Sequence, residues 1–342
     1  MSRLLTGGEI LCRTLLDAGV EVLFGYPGGA IMPFYDALHG HPALRHILVR
    51  HEQAAAHAAD GYARASNRVG VCVATSGPGA TNLVTGLATA HMDGSPVLAI
   101  TGQVSRPMLG RDAFQETDVV GVTAPVTKHN ALVRDVAELA DVVREAMAIA
   151  LEGRPGPVLV DVPKDVQNQK AEYEPQAIRP ARVRRAADRP LNDDALREVA
   201  RLIATAERPV LMIGRGIIVS GAYAEVRALA ERTGMPVITT LLGISAFPQA
   251  HALHLGMPGM HGEVHVNKAI QAADVIVGVG LRFDDRVTGN TATFAPRAKI
   301  VHIDIDAAAI GRNVPVALGI SGDAKTVVGR LLPFVAPRDC PQ

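Results

Sequence analysis

Short runs that are apolar at nearly every position, each closed by a turn and followed by a helical stretch, dominate this chain and leave it few possible folds. "EVLFGY" (21–26), "RHILVR" (45–50), "GVCVAT" (70–75), "PVLAIT" (96–101) and "GPVLVDVP" (156–163) form a first series. "PVLMIG" (209–214), "PVITT" (236–240), "DVIVGVG" (274–280) and "KIVHIDID" (299–306) form a second. Runs without polar alternation suit strands buried on both faces, the hallmark of parallel sheets. Helices are expected between them: one opened by a Thr6–Glu9 capping box with Leu11, Leu15 and Val20 as its stripe, then around 30–39, 52–65, 81–92 and 135–153. The second series adds 192–206, 222–233 and a helix near 323–332. The expected class is α/β, two consecutive parallel-sheet, three-layer domains. Residues 1–165 form the first domain and 191–335 the second. The polar, Pro-bearing stretch between them, "KDVQNQKAEYEPQAIRPARVRRAADRP", lacks a period, and 166–190 reads as a linker.

A length of 342 residues fits two domains, and 48% hydrophobic content with 4% aromatics fits tight helix-on-sheet packing. The formal net charge of zero gives no global field toward nucleic acid or an anionic membrane. Cys12, Cys72 and Cys340 form no CxxC pair and read as thiols of a reducing compartment. No apolar run reaches the ~18 residues of a membrane span, and the N-terminus is polar by residue 3, unlike a signal peptide. The expected location is the cytoplasm.

Ligands of parallel α/β sheets collect at the carboxyl ends of strands. Three such ends stand out in the first half: "GYPGG" (25–29), "SGPGATN" (76–82), and Glu52, a carboxylate placed where a buried strand turns into a helix. A helix-end Glu alone only complements the dipole, and a Gly-Pro turn alone is a turn. Their coincidence at one edge points to a site. "HEQAAAH" is not a zinc motif, because His51 and His57 lack the i, i+4 spacing. In the second half, "GRGIIVSG" (214–221) has the strand–loop–helix context of a dinucleotide loop but lacks the third glycine. "FDDRVTG" (283–289) and "HIDID" (302–306) bring acids beside Arg282 and Arg286, for pairing or for a ribose.

These pieces resemble a known family. "FGYPGGAIMPFYDAL", "RHEQAAAHAADGYARAS", "SGPGATNLVTGLATA", "ITGQV", "DAFQETD", "TKHN", "GRPGPVLVDVPKDVQ", "GMHG", "FDDRVTG" and "KIVHIDID" occur in the order found in acetolactate (acetohydroxyacid) synthase large subunits, from about residue 5 to residue 330. The resemblance implies a thiamine diphosphate pyrimidine-binding domain followed by a Rossmann-like FAD-binding central domain. It implies decarboxylation of pyruvate and condensation of the hydroxyethyl-thiamine carbanion with a second 2-ketoacid, pyruvate or 2-ketobutyrate, as the first step of branched-chain amino-acid biosynthesis. Glu52 matches the glutamate that shares a proton with N1′ of the aminopyrimidine. Tyr26, Pro27, Gly28, Pro78 and Asn82 would line that pocket. Phe114 and Gln115 would face the reacting centre from a partner subunit, and Lys164 would stand near the substrate entrance.

FAD, by the same resemblance, would be surrounded by Arg154, by Gly214, Arg215 and Gly216, and by Thr240, Leu241, Met260 and His261. Gly280, Arg282, Asp284, Arg286, Asp304, Ile305 and Asp323 would complete its surround. At position 94 a Gly stands where the family pattern has Ser. The family's third domain, whose GDG…N segment holds Mg²⁺ and the diphosphate, is not found, so no metal ligand is assigned here. The expectation is therefore a truncated or split large subunit, inactive alone, acting in a homodimer or tetramer with a small regulatory subunit or a separate C-terminal chain. The alternatives are a non-catalytic FAD-binding or regulatory fragment, or another thiamine carboligase of the same architecture. Glu52 argues against glyoxylate carboligase, which lacks that carboxylate. A hydride-transferring NAD enzyme is the weakest option, since no fingerprint loop is evident.

Overall fold

The computed structural model describes residues 3–176 and 191–338. The chain divides into two compact units, residues 1–183 and 184–342. The strands of the first are β1 (Arg3–Thr6), β2 (Val22–Gly25), β3 (Arg45–Leu48), β4 (Gly70–Ala74), β5 (Val97–Gln103), β6 (His129–Leu132), β7 (Val158–Pro163) and β8 (Lys170–Tyr173). Six of them form a sheet in the order β3-β2-β4-β5-β7-β6, parallel throughout. The second unit holds β9 (Pro209–Ile213), β10 (Val237–Thr239), β11 (His254–Gly256), β12 (Val275–Val279), β13 (Lys299–Asp304) and β14 (Leu318–Ser321). They too form a parallel sheet, ordered β11-β10-β9-β12-β13-β14. The α/β class with parallel-sheet domains is as expected.

Residue size decides which helices cover which face of the first sheet. Val71, Val73, Leu98, Ile100, Val158 and Val160 pack with Ile10, Leu11, Leu15, Phe34, Leu139 and Val143, from the helices Gly7–Asp17, Met32–His39 and Leu139–Leu151. The alternate positions Cys72, Ala74 and Ala99 are small and meet Ala55, Ala56, Ala59, Leu83 and Leu87, under the helices Glu52–Ser66 and Val84–Asp93. Small against small lets helix and sheet approach closely. A Cβ on Gly70 would lie 2.0 Å from the Ala59 carbonyl oxygen. Gly70→Ala should therefore push that helix off the sheet and cost about 1–3 kcal/mol, read as a lower urea midpoint at unchanged slope.

The capping box forms, with the Thr6 amide donating to Glu9 Oε2 at 2.8 Å and the Glu9 amide to Thr6 Oγ1 at 3.3 Å. The Thr6 amide and hydroxyl, both donating to Glu9 Oε2, hold the Glu9 carboxyl below its ordinary range. Cys12 and Cys72 are buried and free, and burial pushes both thiols up to about 12; Cys340 lies outside the described residues. Among the described residues no helix is long and apolar enough to cross a membrane.

The structure departs from expectation in two places. The start of the supposed linker is ordered: Lys164–Asn168 is a helical turn, and β8 pairs antiparallel with β1, Arg3 opposite Tyr173. Tyr173 is buried in the core while Lys170 and Glu172 are not, so a half-buried edge strand had passed for a polar coil. The rest of that stretch, 177–190, lies outside the described residues. The helix expected at 81–92 is two, Pro78–Asn82 and Val84–Asp93. The second ends at Gly94 with φ +68°, a left-handed position that a Ser would occupy under strain.

Candidate active site

In the first sheet the chain leaves β2 toward β3 and β4 toward β5, in opposite directions, so a crevice opens at the carboxyl ends of β2 and β4. The two Gly/Pro loops emerge there. Tyr26 follows β2, its amide donating to the Val73 carbonyl at 3.2 Å and its side chain half exposed. Pro27 and Gly28 come next, and a Cβ on Gly28 would sit 2.6 Å from Thr75. Thr75, just past β4, accepts the Ala30 amide on Oγ1 at 3.1 Å. Ala30 is tied again from below, where the buried Gln167 donates to its carbonyl at 2.9 Å and accepts the Phe34 amide at 3.3 Å.

Glu52 enters from the β3 side as the first residue of its helix. His51 serves as that helix's cap, accepting the Gln53 amide on Nδ1 at 3.1 Å. The Glu52 side chain is turned inward, only 9% exposed, and Asn82 Nδ2 donates to its Oε2 at 2.9 Å. Asn82 closes the short helix that Pro78 begins, so Glu52, Pro78 and Asn82 share one corner. The other oxygen, Oε1, lies beside Gly79, where a Cβ would approach within 3.3 Å. A buried carboxylate with one oxygen engaged and the other against a glycine fits a proton-sharing partner such as a ring nitrogen.

The loop after β5 reaches the same edge. Arg106 binds Asp165 through its amide at 2.9 Å and Nε at 2.7 Å, next to Lys164 at the end of β7. The Glu116 carboxylate accepts the amides of Gly110, Arg111 and Ala113, which lowers its pKa. Within this turn Asp112 (φ +52°) and Gln115 (φ +59°) take left-handed backbones. Phe114 points outward, 87% exposed. Gln115 lies across Gly77, where a Cβ would meet its carbonyl oxygen at 2.5 Å. That contact, within one chain, brings the Gln115 backbone to this edge. Beneath the loop, Asp161 of β7 accepts Thr101 Oγ1 at 2.6 Å and Gln103 Nε2 at 2.8 Å. Burial pushes the Asp161 carboxyl up to about 7, against the two hydrogen bonds and with help from Asp118.

The second sheet has its own reversal, between β9 and β12. Gly214, Arg215 and Gly216 follow β9, and Gly280 (φ +63°) follows β12. The amides of Gly214 and Gly216 are already given to the carbonyls of Val279 and Gly280, both at 3.0 Å. These glycines let two loops close on each other; a Cβ on Gly216 would stand 2.5 Å from Gly280 Cα. They do not present free donors to a phosphate. Thr240 is bound to the Ile213 carbonyl, with Leu241 beside it, 69% exposed. Met260, 66% exposed and followed by the exposed His261, donates its amide to the Arg286 carbonyl. Arg282 pairs with Asp284 at 3.5 Å, and Asp284 caps the helix Asp285–Thr288. Asp304 ends β13 with Ile305 next after it, and Asp323 caps the helix Ala324–Leu331 through Thr326. All these residues stand on one carboxyl edge. Arg154 belongs to the first unit, where it donates to the Met92 carbonyl at 2.6 Å.

Known proteins share both halves of this arrangement. Residues 5–122 match the family described as "Thiamine pyrophosphate enzyme, N-terminal TPP binding domain", and 196–331 match "Thiamine pyrophosphate enzyme, central domain". The chain belongs to the thiamine pyrophosphate enzymes. Within that family it is 50% identical over 331 residues to the acetolactate synthase large subunit of Corynebacterium glutamicum, covering 96% of this chain and 52% of the relative. It is 53% identical over 329 residues to the probable acetolactate synthase large subunit of Methanocaldococcus jannaschii, covering 95% and 55%. To the acetolactate synthase of Mycobacterium bovis it is 51% identical over 340 residues, covering 98% and 54%. The chain spans about half the length of these curated relatives.

As a thiamine pyrophosphate enzyme, the chain holds polar residues at its Glu52 edge to which the sequence reading assigned no role. Thr75, Gln103, Asp161 and Gln167 are all buried and all tie loops to the sheet. Their one visible signal is a polar side chain set in or beside an apolar run, as in "VLVDVP" and "LAITGQV".

Proposed function

We propose that the Glu52 edge binds the aminopyrimidine of thiamine diphosphate and that this chain is part of an acetolactate synthase large subunit, joining pyruvate to a second 2-ketoacid. The observation that carries the reading is the inward Glu52 carboxylate, oriented by Asn82 in a crevice where Gly28 and Gly79 leave no room for a Cβ. The bound coenzyme supplies an electron sink for decarboxylation of a 2-ketoacid. Glu52 holds or releases a proton at its Oε1 toward a ring nitrogen, while Asn82 keeps the carboxylate from rotating. Tyr26, Pro27 and Gly28 form one wall and Pro78 the other. Gln115, seated on Gly77, and Lys164 bring polar groups to the rim where a 2-ketoacid carboxylate would approach. Among the described residues no three His, Cys, Asp or Glu side chains converge as metal ligands would. Titration with thiamine tests the reading: the wild-type chain binds it, and Glu52→Ala binds at least about tenfold more weakly. Equal affinity in the two would remove Glu52 from the site.

The second carboxyl edge would take FAD. Exposed Leu241 and Met260 suit a flat ring system, and Arg215, Arg282 and Arg286 suit its phosphates, in place of the glycine amides already spent. A melting shift with FAD checks this, since a ligand at 100 times its Kd adds about 2.7 kcal/mol of stability. Arg282→Ala should shrink that shift, and no shift at saturating FAD would overturn the assignment. The homodimer or tetramer, and a small regulatory subunit or separate C-terminal chain as partner, belong to the same reading.

A further inference from the structure

The loop from 104 to 118 carries Phe114 and Gln115, yet none of its residues is buried and it has little core of its own. The Arg106–Asp165 pair holds its start, and what seats its far end on the sheet is the side chain of Gln103, the last residue of β5, 2% exposed. Both of its amide functions are in use. Nε2 donates to the Thr117 carbonyl at 3.0 Å and to Asp161 Oδ2 at 2.8 Å, and Oε1 accepts the Val104 amide at 2.9 Å. Asp161, 1% exposed, is held in turn by Thr101. With every partner assigned, the amide cannot flip without losing bonds in a buried site.

From Thr117 a continuous path leads to the Glu52 crevice. Two residues back, the Gln115 backbone rests on Gly77. Gly77 precedes the helix Pro78–Asn82, whose last residue grips Glu52. We propose that Gln103, oriented by Asp161, is the positioning residue that seats the Phe114–Thr117 segment against Gly77 and so fixes the wall beside Glu52. The proposal rests on the reading of that crevice as the aminopyrimidine site. Gln103 touches no ligand in it; it acts through the loop.

Amide hydrogen exchange on the intact 342-residue chain tests this, with thiamine as the probe ligand and the helix Leu139–Leu151 as internal reference. Gln103→Met keeps the volume and removes all three bonds. It should speed exchange of the Gly110, Arg111 and Ala113 amides about tenfold or more, leave the reference helix unchanged, and weaken thiamine binding several-fold. Asp161→Ala should do the same in smaller measure. Asp161→Asn should restore both readouts, because its Oδ1 still accepts from Gln103 and its Nδ2 can donate to a rotated Thr101 hydroxyl. Wild-type loop exchange in Gln103→Met overturns the latch. So does a loosened loop with unchanged thiamine affinity, or failure of Asp161→Asn to rescue. If thiamine leaves the wild-type 76–82 segment unprotected, the pyrimidine reading fails instead, and the loop-exchange result is unaffected by that failure.

Discussion

Replacing Glu52 by Gln should cut kcat by about 10²–10⁴-fold while the protein folds as before. Gln keeps the shape and an oxygen for the Asn82 donor at 2.9 Å, so the corner formed by Glu52, Pro78 and Asn82 stays intact. It removes only the capacity to share a proton with a ring nitrogen. The loss should therefore fall on kcat, with KM for pyruvate within a few-fold of the parent. The measurement needs an enzyme in which residues 5–331 of this chain replace the matching segment of the Corynebacterium glutamicum relative. Thermal melting and FAD binding serve as controls. A Glu52→Gln chimera running at parental rate would reduce the carboxylate to a helix-end charge.

Asp161→Asn should change how stability depends on pH. The native carboxyl titrates at about 7, against an ordinary value of 3.8, because it is buried in β7. Between these values the native state holds a proton that the unfolded chain has released, so stability falls as pH rises through the window. Below about pH 4 both states are protonated, and above about pH 7 the full cost of a buried charge is present. The slope approaches ~1.4 kcal/mol per pH unit. Asn does not titrate. The stability of the variant relative to the parent should therefore rise from pH 4 to pH 8 by an amount on the order of 3 kcal/mol, other groups cancelling in the difference. Urea unfolding at both pH values reads this directly, and a difference independent of pH would mean that Asp161 is ionised throughout.

The central strands and the place of Glu52 were legible because both follow from local chemistry. β4, β5, β7, β9 and β12 are buried at every position, so their sequences are apolar apart from Thr101 and Gln103 in β5 and Asp161 in β7. Edge strands betray themselves less. β6 has one exposed and three half-buried residues, β11 and β14 are short, and β8 alternates so weakly that it looked like coil. Whether β8 is a strand depends on β1, far away in sequence, and no local window contains that partner. The polar ties were invisible for a similar reason. Gln167 reads as one more residue of a polar stretch, yet its amide is wholly buried against Ala30 and Phe34. Gly214 and Gly216 show the limit in another way. They look like a phosphate loop, but their amides are spent on the neighbouring loop.

Pairing of β1 with β8 ties the order of synthesis to the order of folding. Arg3–Thr6 is synthesised well over a hundred residues before its partner, so its hydrogen-bonding edge stays unpaired until Lys170–Tyr173 has emerged from the ribosome. The third strand of the sheet to be synthesised after it, β4, is likewise unable to complete both its ladders before β5 appears. A nascent chain therefore carries a bare edge for nearly the whole translation of its first unit, a period in which pairing with another chain competes. The antiparallel ribbon acts as a clasp that shuts last. Slowing translation before residues 170–173 have emerged from the ribosome should lengthen that exposure, and slowing it once they have emerged should not.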